Sequence, residues 1–532
     1  MPTIPKHIDL TIKRQRSFET DRSLWESQWQ DAKELIRPNT SDFNRTGVKG
    51  ERKFEKVYDA TAIDANEEFA GGLAGYATSA TDRWFSLRMK NRSLENSLRL
   101  RTWLDRTSDL IYDAYSSPSS NFNPSYHEGY LDIGAFGWFV IYQYWHAKSR
   151  AVRFKTIPIA DCWIDENHEG HVDTLFRKIK MSARQIEQRF GQLPPQIRKE
   201  NKLDKLYSVL HAVFPRVDRN PRKLTGVNKP FASLWISLDT KEELYEGGFD
   251  IFPYIVPRWT KLSGEVYGRG PGMKVLPDVK VLNRYEQYML KAGAKTVDPP
   301  LTVPNDGFLL PVNTSPGALN YKENNADGIE PLIPPGAYNL PFGLDQMERK
   351  KASIERGYYL TLFRMEKENV EMTAFETADR REEKLRLLGP QLGRLESEAL
   401  GPTISQTFYL LDRAGQIPPI PLEGSEQELM IEYTSPAAKA QTGVRAFAME
   451  RYVQRLIPLA QMKPDVLDVV NTDAYAQELA STMGTPAMII NSPDQIQAIR
   501  EQRAQAEQQQ ALMGAAEPAS KAIKNIADAQ RS

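Results

Sequence analysis

The feature of this 532-residue chain that most restricts its fold is a long helical pattern interrupted by two glycine–proline pairs. Over residues 374–414, apolar residues recur at spacings of three and four, which predicts an amphipathic helix about 60 Å long if it is continuous. Gly389-Pro390 and Gly401-Pro402 lie inside this run. Each proline removes a backbone donor and crowds the preceding turn, so we expect a kink or break at both places. Such a rod suits a ring of radially packed subunits better than a compact enzyme.

The apolar seam of this helix is a candidate packing face. It consists of Leu385, Leu388, Leu392 and Leu395. Four leucines along a thin rod are too apolar to remain in water, so we expect neighbouring copies of the chain to bury part of the seam.

Composition indicates a folded protein of two to four lobes without strong charge. Hydrophobic residues make up 40% and charged residues 26% of the chain, and Lys+Arg and Asp+Glu both number 69. A tight nucleic-acid binder usually has a basic excess, so any DNA contact should be local and weak. The single cysteine, Cys162, excludes an intrachain disulfide. The most apolar stretch, residues 133–145, is too short to span a bilayer and predicts a helix end running into a buried strand, so no membrane partner is expected.

The order of patterns along the chain predicts an α+β protein with two long helices around an insert. Residues 1–266 form the α+β lobe, with strands over 138–180 and 206–260. Residues 267–298 and 344–365 predict the two helices, which should lie antiparallel and project the Pro/Gly/Asn-rich insert 299–343. A polar loop at 366–373, the long helix with a return segment at 374–434, and a helical, Gln/Ala-rich segment at 435–532 complete the chain.

Several motifs could carry chemistry, and each has a simpler structural interpretation. Gly268, Gly270 and Gly272 suggest a phosphate loop, but the sequence continues Met-Lys-Val instead of Gly-Lys-Ser/Thr, which favours a tight turn opening the first helix. His168 and His171 stand beside acidic residues in a short hairpin, where polar residues are expected without a metal. No nucleophile-elbow pattern occurs. We therefore predict no catalytic, cofactor or metal residues.

Charges in and after the second helix are candidates for contact with DNA. The basic residues are Arg349, Lys350, Lys351, Arg356, Arg364 and Lys367, and the alternative interpretation is an ordinary charged helix surface. In a ring, each charge repeats around the axis, so a small excess becomes a belt that meets phosphates without reading bases. The short loop that follows, which has one apolar residue, suits a mobile constriction. It consists of Glu366, Lys367, Glu368, Asn369, Val370 and Glu371.

Short motifs spread along the chain resemble, in order, those of the portal (head-to-tail connector) proteins of short-tailed, T7-like bacteriophages. The segments are 57–62, 69–75, 84–87, 132–137, 157–158 with 165–166, 267–272, 372–374 with Glu376, 435–437 and 471–473. Together they extend from about Trp25 to about Pro493. Their order and spacing carry the resemblance, because no single motif is decisive.

The resemblance implies a portal fold: a wing (1–266), two stem helices (267–298 and 344–365), a clip (299–343), a tunnel loop (366–373), a kinked helix returning to the wing (374–434) and a helical crown (435–532). It implies a non-enzymatic subunit of a dodecameric ring at one capsid vertex, through which double-stranded DNA enters and leaves. The implied partners are terminase, then tail adaptor proteins, with the major capsid and scaffolding or core proteins. The implied location is the virion, after synthesis in the host bacterial cytoplasm.

Two other function classes compete with this interpretation. One is another ring-forming tail adaptor protein, against which the chain length and the helix–insert–helix order argue. The other is a nucleic-acid-processing enzyme, against which the missing Walker and metal-carboxylate patterns argue.

Overall fold

The protein contains two compact units of mixed helix and sheet, which agrees with the predicted α+β class. One unit comprises residues 1–75 and 118–406, and the other comprises 76–117 and 407–532. The computed structural model describes residues 5–44, 50–91, 97–200, 202–223, 225–297, 301–302, 330–331, 340–364, 388–421, 428–434, 449, 451–458, 463, 469–483, 491 and 495–508. The long helical pattern before residue 388 and most of the predicted insert lie outside the described residues.

The first unit is built on a five-stranded antiparallel sheet in the order β4-β5-β6-β7-β8. Its strands are β4 (Cys162–Glu166), β5 (Val172–Ser182), β6 (Leu206–Pro215), β7 (Phe231–Ser237) and β8 (Glu242–Phe249). Because side chains alternate along a strand, each face carries its own apolar set. The N-terminal helix α1 (Lys6–Leu35) buries Ile8 and Ile12 against one face. The hairpin between β4 and β5 lies where the sequence predicts it.

Two short helices cover part of the opposite face. They are α5 (Ala183–Phe190) and α6 (Pro195–Glu200), which bring Ile186 and Ile197 together with Trp235 of β7. Ser182 caps α5, since its hydroxyl accepts from the Gln185 amide while the Gln185 side chain accepts from the Ser182 amide. The local sequence alone is sufficient to predict this start.

A three-stranded antiparallel sheet follows the order β3-β2-β9, with β2 (Val140–His146), β3 (Ala151–Ile157) and β9 (Tyr254–Ile255). Helix α4 (Phe122–Phe136) leads into β2 through Gly137, whose φ of 90° closes the helix. The helix-to-strand prediction for residues 133–145 is thereby confirmed. The buried face of α4 explains why this stretch is so apolar.

Helices α7 (Pro271–Val297) and α8 (Leu340–Gly357) pack side by side, and the two-residue strands β10 (Leu301–Thr302) and β11 (Glu330–Pro331) pair beyond them. The predicted second helix does not continue unbroken to residue 365. It ends at Gly357, Tyr359 adopts a φ of 60°, and a single turn, α9 (Leu360–Phe363), follows. The break turns Tyr358 into the core, where its ring meets that of Phe69 on α2 (Thr61–Ala77) at 5.9 Å.

The described part of the long helix runs from Gly389 to Arg413 and contains both glycine–proline pairs. Gly389-Pro390 forms the first turn of helix Gly389–Leu395, where a missing proline N–H costs little. Pro402 stands at the start of helix Gly401–Arg413, directly after a π-helical turn, Glu396–Leu400. Since Pro402 cannot donate to the carbonyl four residues earlier, the wider π turn is the local solution. The irregularity predicted at Gly401-Pro402 is present as this turn.

The second unit contains α3 (Leu98–Ser116) and an antiparallel strand pair, β1 (Phe85–Met89) with β12 (Leu429–Tyr433). Arg88 and Glu432 form an ion pair of 2.7 Å across the ladder. The unit also contains helix Thr472–Met483 and helical segments at residues 451–458 and 495–508. This grouping differs from the predicted N-terminal lobe 1–266, because residues 76–117 cluster with the C-terminal part of the chain. The partner of β1 is about 340 residues away in sequence, which no local pattern reveals.

Candidate functional site

The antiparallel pair α7–α8 is the first element of the candidate site. Near one end, the Asp278 carboxylate accepts from Lys350 Nζ and from Ser353 Oγ, both at 2.7 Å. Near the other end, Gly343 packs on the Met289 thioether. As the residue number increases along α7, the number of the contacting residue on α8 therefore decreases. The antiparallel arrangement predicted from sequence is therefore present. The hydrogen bond from Lys350 lowers the pKa of Asp278, which keeps this contact ionic.

The middle of α7 is held by polar contacts that no sequence motif predicts. The Asn283 side chain accepts from the Tyr58 amide at 2.7 Å and donates to the Lys56 carbonyl at 2.8 Å. Lys280 forms an ion pair with Asp31 of α1 at 2.5 Å. Asn283 thus joins α7 to the 57–62 motif. The only sequence signal for this contact is the amide side chain of Asn283 within the apolar pattern of a long helix. Such an amide has no distinctive pattern around it.

The glycine motif before α7 serves backbone packing. A Cβ atom on Gly268 would lie 2.4 Å from the Gly137 carbonyl oxygen, and one on Gly270 would lie 2.4 Å from the Ile133 carbonyl oxygen. The loop therefore needs glycine because it lies directly against the C-terminal end of α4. It opens helix α7 at Pro271, as the tight-turn interpretation predicts. The backbone at the end of α4 therefore fills the space beside Gly268 and Gly270.

Small residues also permit a close helix contact in the 69–75 motif. A Cβ atom on Gly72 would lie 2.4 Å from Cδ1 of Phe363, so α2 and α9 can meet only because this position is glycine. Arg364, next to that contact, bridges Glu68 and Glu355 at 2.8 and 2.9 Å. The small residues of this motif are visible in the sequence, but the partner of the contact is not.

An exposed apolar stripe runs along α7 beside the face that contacts α8. Val281, Tyr285 and Tyr288 are 41%, 37% and 55% exposed, although Val275, Val279 and Leu282 of the same helix are buried. Their spacing of four and three places them on one side of the helix. Burying this stripe of one valine and two tyrosines in a contact with another protein would be favourable, because it removes apolar surface from water.

The predicted DNA-contacting cations are mostly paired with carboxylates within the chain. Arg349 pairs with Asp345, Lys350 with Asp278, Lys351 with Asp59, and Arg364 with Glu68 and Glu355. Arg356 is exposed, and the described part of the chain offers it no carboxylate. Lys367 and the rest of the predicted tunnel loop, Glu366 to Glu371, lie outside the described residues. Together, α8 and α9 of this chain therefore present nearly balanced charge instead of a strong basic stripe.

A buried ion network fixes the π-helical turn of the long helix. Arg258 is fully buried and donates to both carboxylate oxygens of Glu398 from Nε and Nη2, at 3.1 and 2.9 Å. Its other nitrogen, Nη1, donates to Glu166 at 2.6 Å, and Lys261 pairs with the same Glu166 at 2.7 Å. The network joins the β4–β5 hairpin to Glu398 in the π turn. The sequence analysis assigned no role to Arg258 or Glu398.

The leucine seam requires a correction. Leu388, Leu392 and Leu395 are 1%, 3% and 2% exposed within the single chain, and Leu385 lies outside the described residues. The predicted subunit contact requires a seam that would otherwise face water. For these three leucines that premise is wrong, since their own chain buries them. A helix periodicity shows which residues share a face but not which surface covers it.

The described residues contain no group of three His, Cys, Asp or Glu side chains placed to hold a metal ion. His168 is almost fully exposed in the β4–β5 turn, with Glu169 at 3.9 Å. Cys162 is buried, and burial raises the pKa of its thiol to about 12. Within the same described ranges, none of the helices has the length and apolar character that crossing a membrane requires.

Comparisons with known proteins show the family to which this chain belongs. The chain is 29% identical over 532 residues to a probable portal protein of Bordetella phage BPP-1, covering 95% of this chain and 92% of that protein. It is 28% identical over 537 residues to a portal protein of Salmonella phage epsilon15, covering 98% and 95%. The profile of a family described as bacteriophage head to tail connecting protein matches residues 9–490. The chain therefore belongs to the bacteriophage head-to-tail connector family, as the sequence motifs predict.

Proposed function

We propose that this protein is the portal subunit of a bacteriophage virion, twelve copies of which form a ring at one capsid vertex. Double-stranded DNA passes through the central channel during packaging and ejection. The ring serves as the docking site for terminase and then for tail adaptor proteins, and it contacts the major capsid and scaffolding or core proteins. Family membership over residues 9–490 supports the connector role.

The observation that carries the ring proposal is the exposed stripe Val281, Tyr285 and Tyr288 on α7. This helix is anchored near its middle by Asn283 and Lys280 and packed on one side by α8, so the stripe is held in a fixed place. A rigid helix with an apolar side suits repeated contact between identical neighbours. In the ring, α7 and α8 form the stem, and each stripe packs on the adjacent subunit.

The nearly balanced charge of the stem supports a channel that DNA can slide through. Most stem cations are held by carboxylates, and Arg356 remains as an exposed positive charge that repeats once per subunit. Weak, repeated attraction holds DNA near the axis without gripping it, since phosphate contacts are independent of sequence. Lys367 and the tunnel loop complete this surface, and the loop acts as a valve behind the DNA.

Electron microscopy of the purified protein tests the ring directly. We expect end-on views of rings with a central hole. Val281→Asp/Tyr288→Asp should give folded protomers that do not form rings, because two charges enter the apolar contact. Leu290→Asp is the matched control, since Leu290 is 57% exposed on the same helix but lies about 200° around the axis from Tyr288. Absence of rings for the unaltered protein, or intact rings for the double variant, would contradict the proposed contact.

The proposal includes the absence of enzymatic activity. The purified protein is expected to hydrolyse no ATP and to cut no DNA, with or without divalent cations. Turnover abolished by changing Lys274, which follows the glycine motif, would favour the nucleotide-binding alternative instead.

A further inference from the structure

Four cations lie together where the three-stranded and five-stranded sheets of the first unit meet. On the three-stranded sheet, Tyr142 pairs with Lys155 and Tyr144 with Arg153, so all four side chains lie on one face. The rings of Tyr142 and Tyr144 are stacked, with centroids 5.1 Å apart. This face therefore carries two positive charges beside a flat aromatic pair.

The five-stranded sheet supplies the other two cations. Arg177 of β5 lies opposite His211 of β6, which lies opposite Trp235 of β7, so the three share a face. The Arg189 guanidinium of α5 stands 4.0 Å above the Trp235 ring. The hydroxyl of Tyr254, on β9, lies 2.9 Å from His211 Nδ1 and so brings the two faces together.

These side chains are close enough to influence one another electrostatically. Burial, and then Arg177 and Arg189, lower the pKa of Lys155. Burial, and then Arg189 and Arg177, lower the pKa of His211 well below its ordinary value, so its imidazole stays neutral. The positive charges of Arg177 and Arg189 thus both act on Lys155, and the three side chains form a cationic cluster.

The cluster lacks carboxylate partners. Within the described residues, none of Arg153, Lys155, Arg177 and Arg189 has a carboxylate oxygen within 4.0 Å. Asp161 is the acidic neighbour of Arg177, and burial outweighs that arginine and raises the pKa of Asp161. In addition, the buried Nε atoms of Arg153 and Arg177 donate no hydrogen bond. By contrast, Lys350, Lys351 and Arg364 each have a carboxylate partner.

We propose that this cationic cluster binds the phosphates of double-stranded DNA, on a surface separate from the stem. Three arginines suit phosphate because a guanidinium offers several donors in a fixed plane. The cluster contains four cations, and Asp161 is its acidic neighbour. An anion with closely spaced charges suits such a cluster, and duplex DNA carries one charge per about 1.7 Å of its axis. The contact needs no base reading and involves only one protomer, so it goes beyond the proposed channel and does not depend on ring formation.

Binding of covalently closed circular plasmid tests the proposal, because DNA without ends cannot thread a channel. The variant is Lys155→Glu/Arg189→Glu, at the two exposed members of the cluster. The control is Arg184→Glu/Lys199→Glu, which makes the same change in net charge at exposed residues of α5 and α6. Affinity is measured by sedimentation over a range of KCl concentrations, with circular dichroism confirming that all proteins are folded.

We expect the cluster variant to bind at least about tenfold more weakly at low salt, with a logarithmic salt slope reduced by about two, while the control changes less than about twofold. Equal losses in both variants would overturn the proposal. Poly-glutamate provides the second arm: if the unaltered protein binds it as tightly as plasmid, and the cluster variant loses both, the surface serves an acidic protein partner and the DNA proposal is wrong. If the unaltered protein binds plasmid without forming rings, and the cluster variant then loses that binding, the result supports the cationic cluster and contradicts the proposed ring.

Discussion

Arg258 and Glu398 form a two-point contact in which two guanidinium nitrogens meet both oxygens of one carboxylate, at 2.9 and 3.1 Å. Arg258 has no exposed surface, and Glu398 belongs to the π-helical turn Glu396–Leu400. The contact therefore ties the irregular turn of the long helix to the sheet. A helix that must deviate from regular geometry at Pro402 is held in one conformation by this pair.

Removing Arg258 should strongly destabilise the protein. Arg258→Ala leaves Glu398 without its two-point partner and Glu166 with Lys261 alone, and breaking a buried ion pair costs about 3–5 kcal/mol in the free energy of unfolding. Urea denaturation followed by tryptophan fluorescence measures it. Arg364→Ala is the control, since Arg364 also bridges two glutamates but is 43% exposed, and its loss should cost less than about 1 kcal/mol. Equal costs for the two variants would show that burial does not set the strength of the Arg258 network.

Leu392 and Tyr288 should respond differently to the introduction of an aspartate. Leu392→Asp places a charge among buried residues of its own chain, so we expect a less stable or aggregated protomer. Tyr288→Asp changes a half-exposed residue, so we expect a folded protomer with weakened ring assembly. Thermal unfolding and analytical ultracentrifugation of both variants separate the two effects. A fully stable Leu392→Asp monomer would instead restore the leucine seam as a contact between subunits.

The π turn should also make stability depend on pH. Burial raises the pKa of Glu396 to about 7 from its ordinary value of 4.5. A raised pKa in the folded state means that the protonated acid is favoured by folding. The stability gained from the protonated Glu396 carboxyl is complete below pH 4.5 and is lost as the pH rises through 7.

Glu396→Gln should therefore be more stable than the unaltered protein at pH 8, and this advantage should shrink as the pH approaches 4.5. Urea midpoints at several pH values measure the difference. Glu187→Gln, at an exposed position of α5, serves as the control and should show no such trend. A Glu396→Gln advantage that is constant with pH would exclude titration of this carboxyl as the cause.

Shortening the tunnel loop should impair retention of DNA but not its entry. The loop, Glu366 to Glu371, has four charges and one apolar residue, so little buried surface is available to hold it in one place. Rings and packaging should persist in the deletion variant, while packaged DNA leaks out. The measurement is the amount of protected DNA in particles over time after packaging stops. Normal retention would refute the valve role and leave the portal assignment intact.

Replacing part of the insert should separate assembly from docking. Residues 301–302 pair with residues 330–331, so a Gly/Ser linker in place of residues 305–329 keeps the strand pair that closes the insert. We expect rings to form and binding of terminase or adaptor protein to be lost. Microscopy and co-sedimentation with the partner measure the two properties. Complete loss of rings would show that the insert itself holds subunits together.

The sequence by itself determined the local structure and the family. Capping residues predict the start of α5, glycine spacing predicts the turn before α7, and Pro402 predicts an irregular helix, because each depends on backbone geometry within a few residues. The antiparallel relation of α7 and α8 also follows from their order. The family follows from motif order along nearly the whole chain.

Only the tertiary structure decided what covers each surface. It paired β1 with a strand about 340 residues away and buried three leucines of the seam inside their own chain. It also paired Lys350, Lys351 and Arg364 with carboxylates of distant segments. It also brought Arg177 and Lys155 together from two sheets. Periodicity and charge in a sequence identify which residues share a face. Burial and pairing depend on contacts between distant segments, and those exist only once the chain is folded.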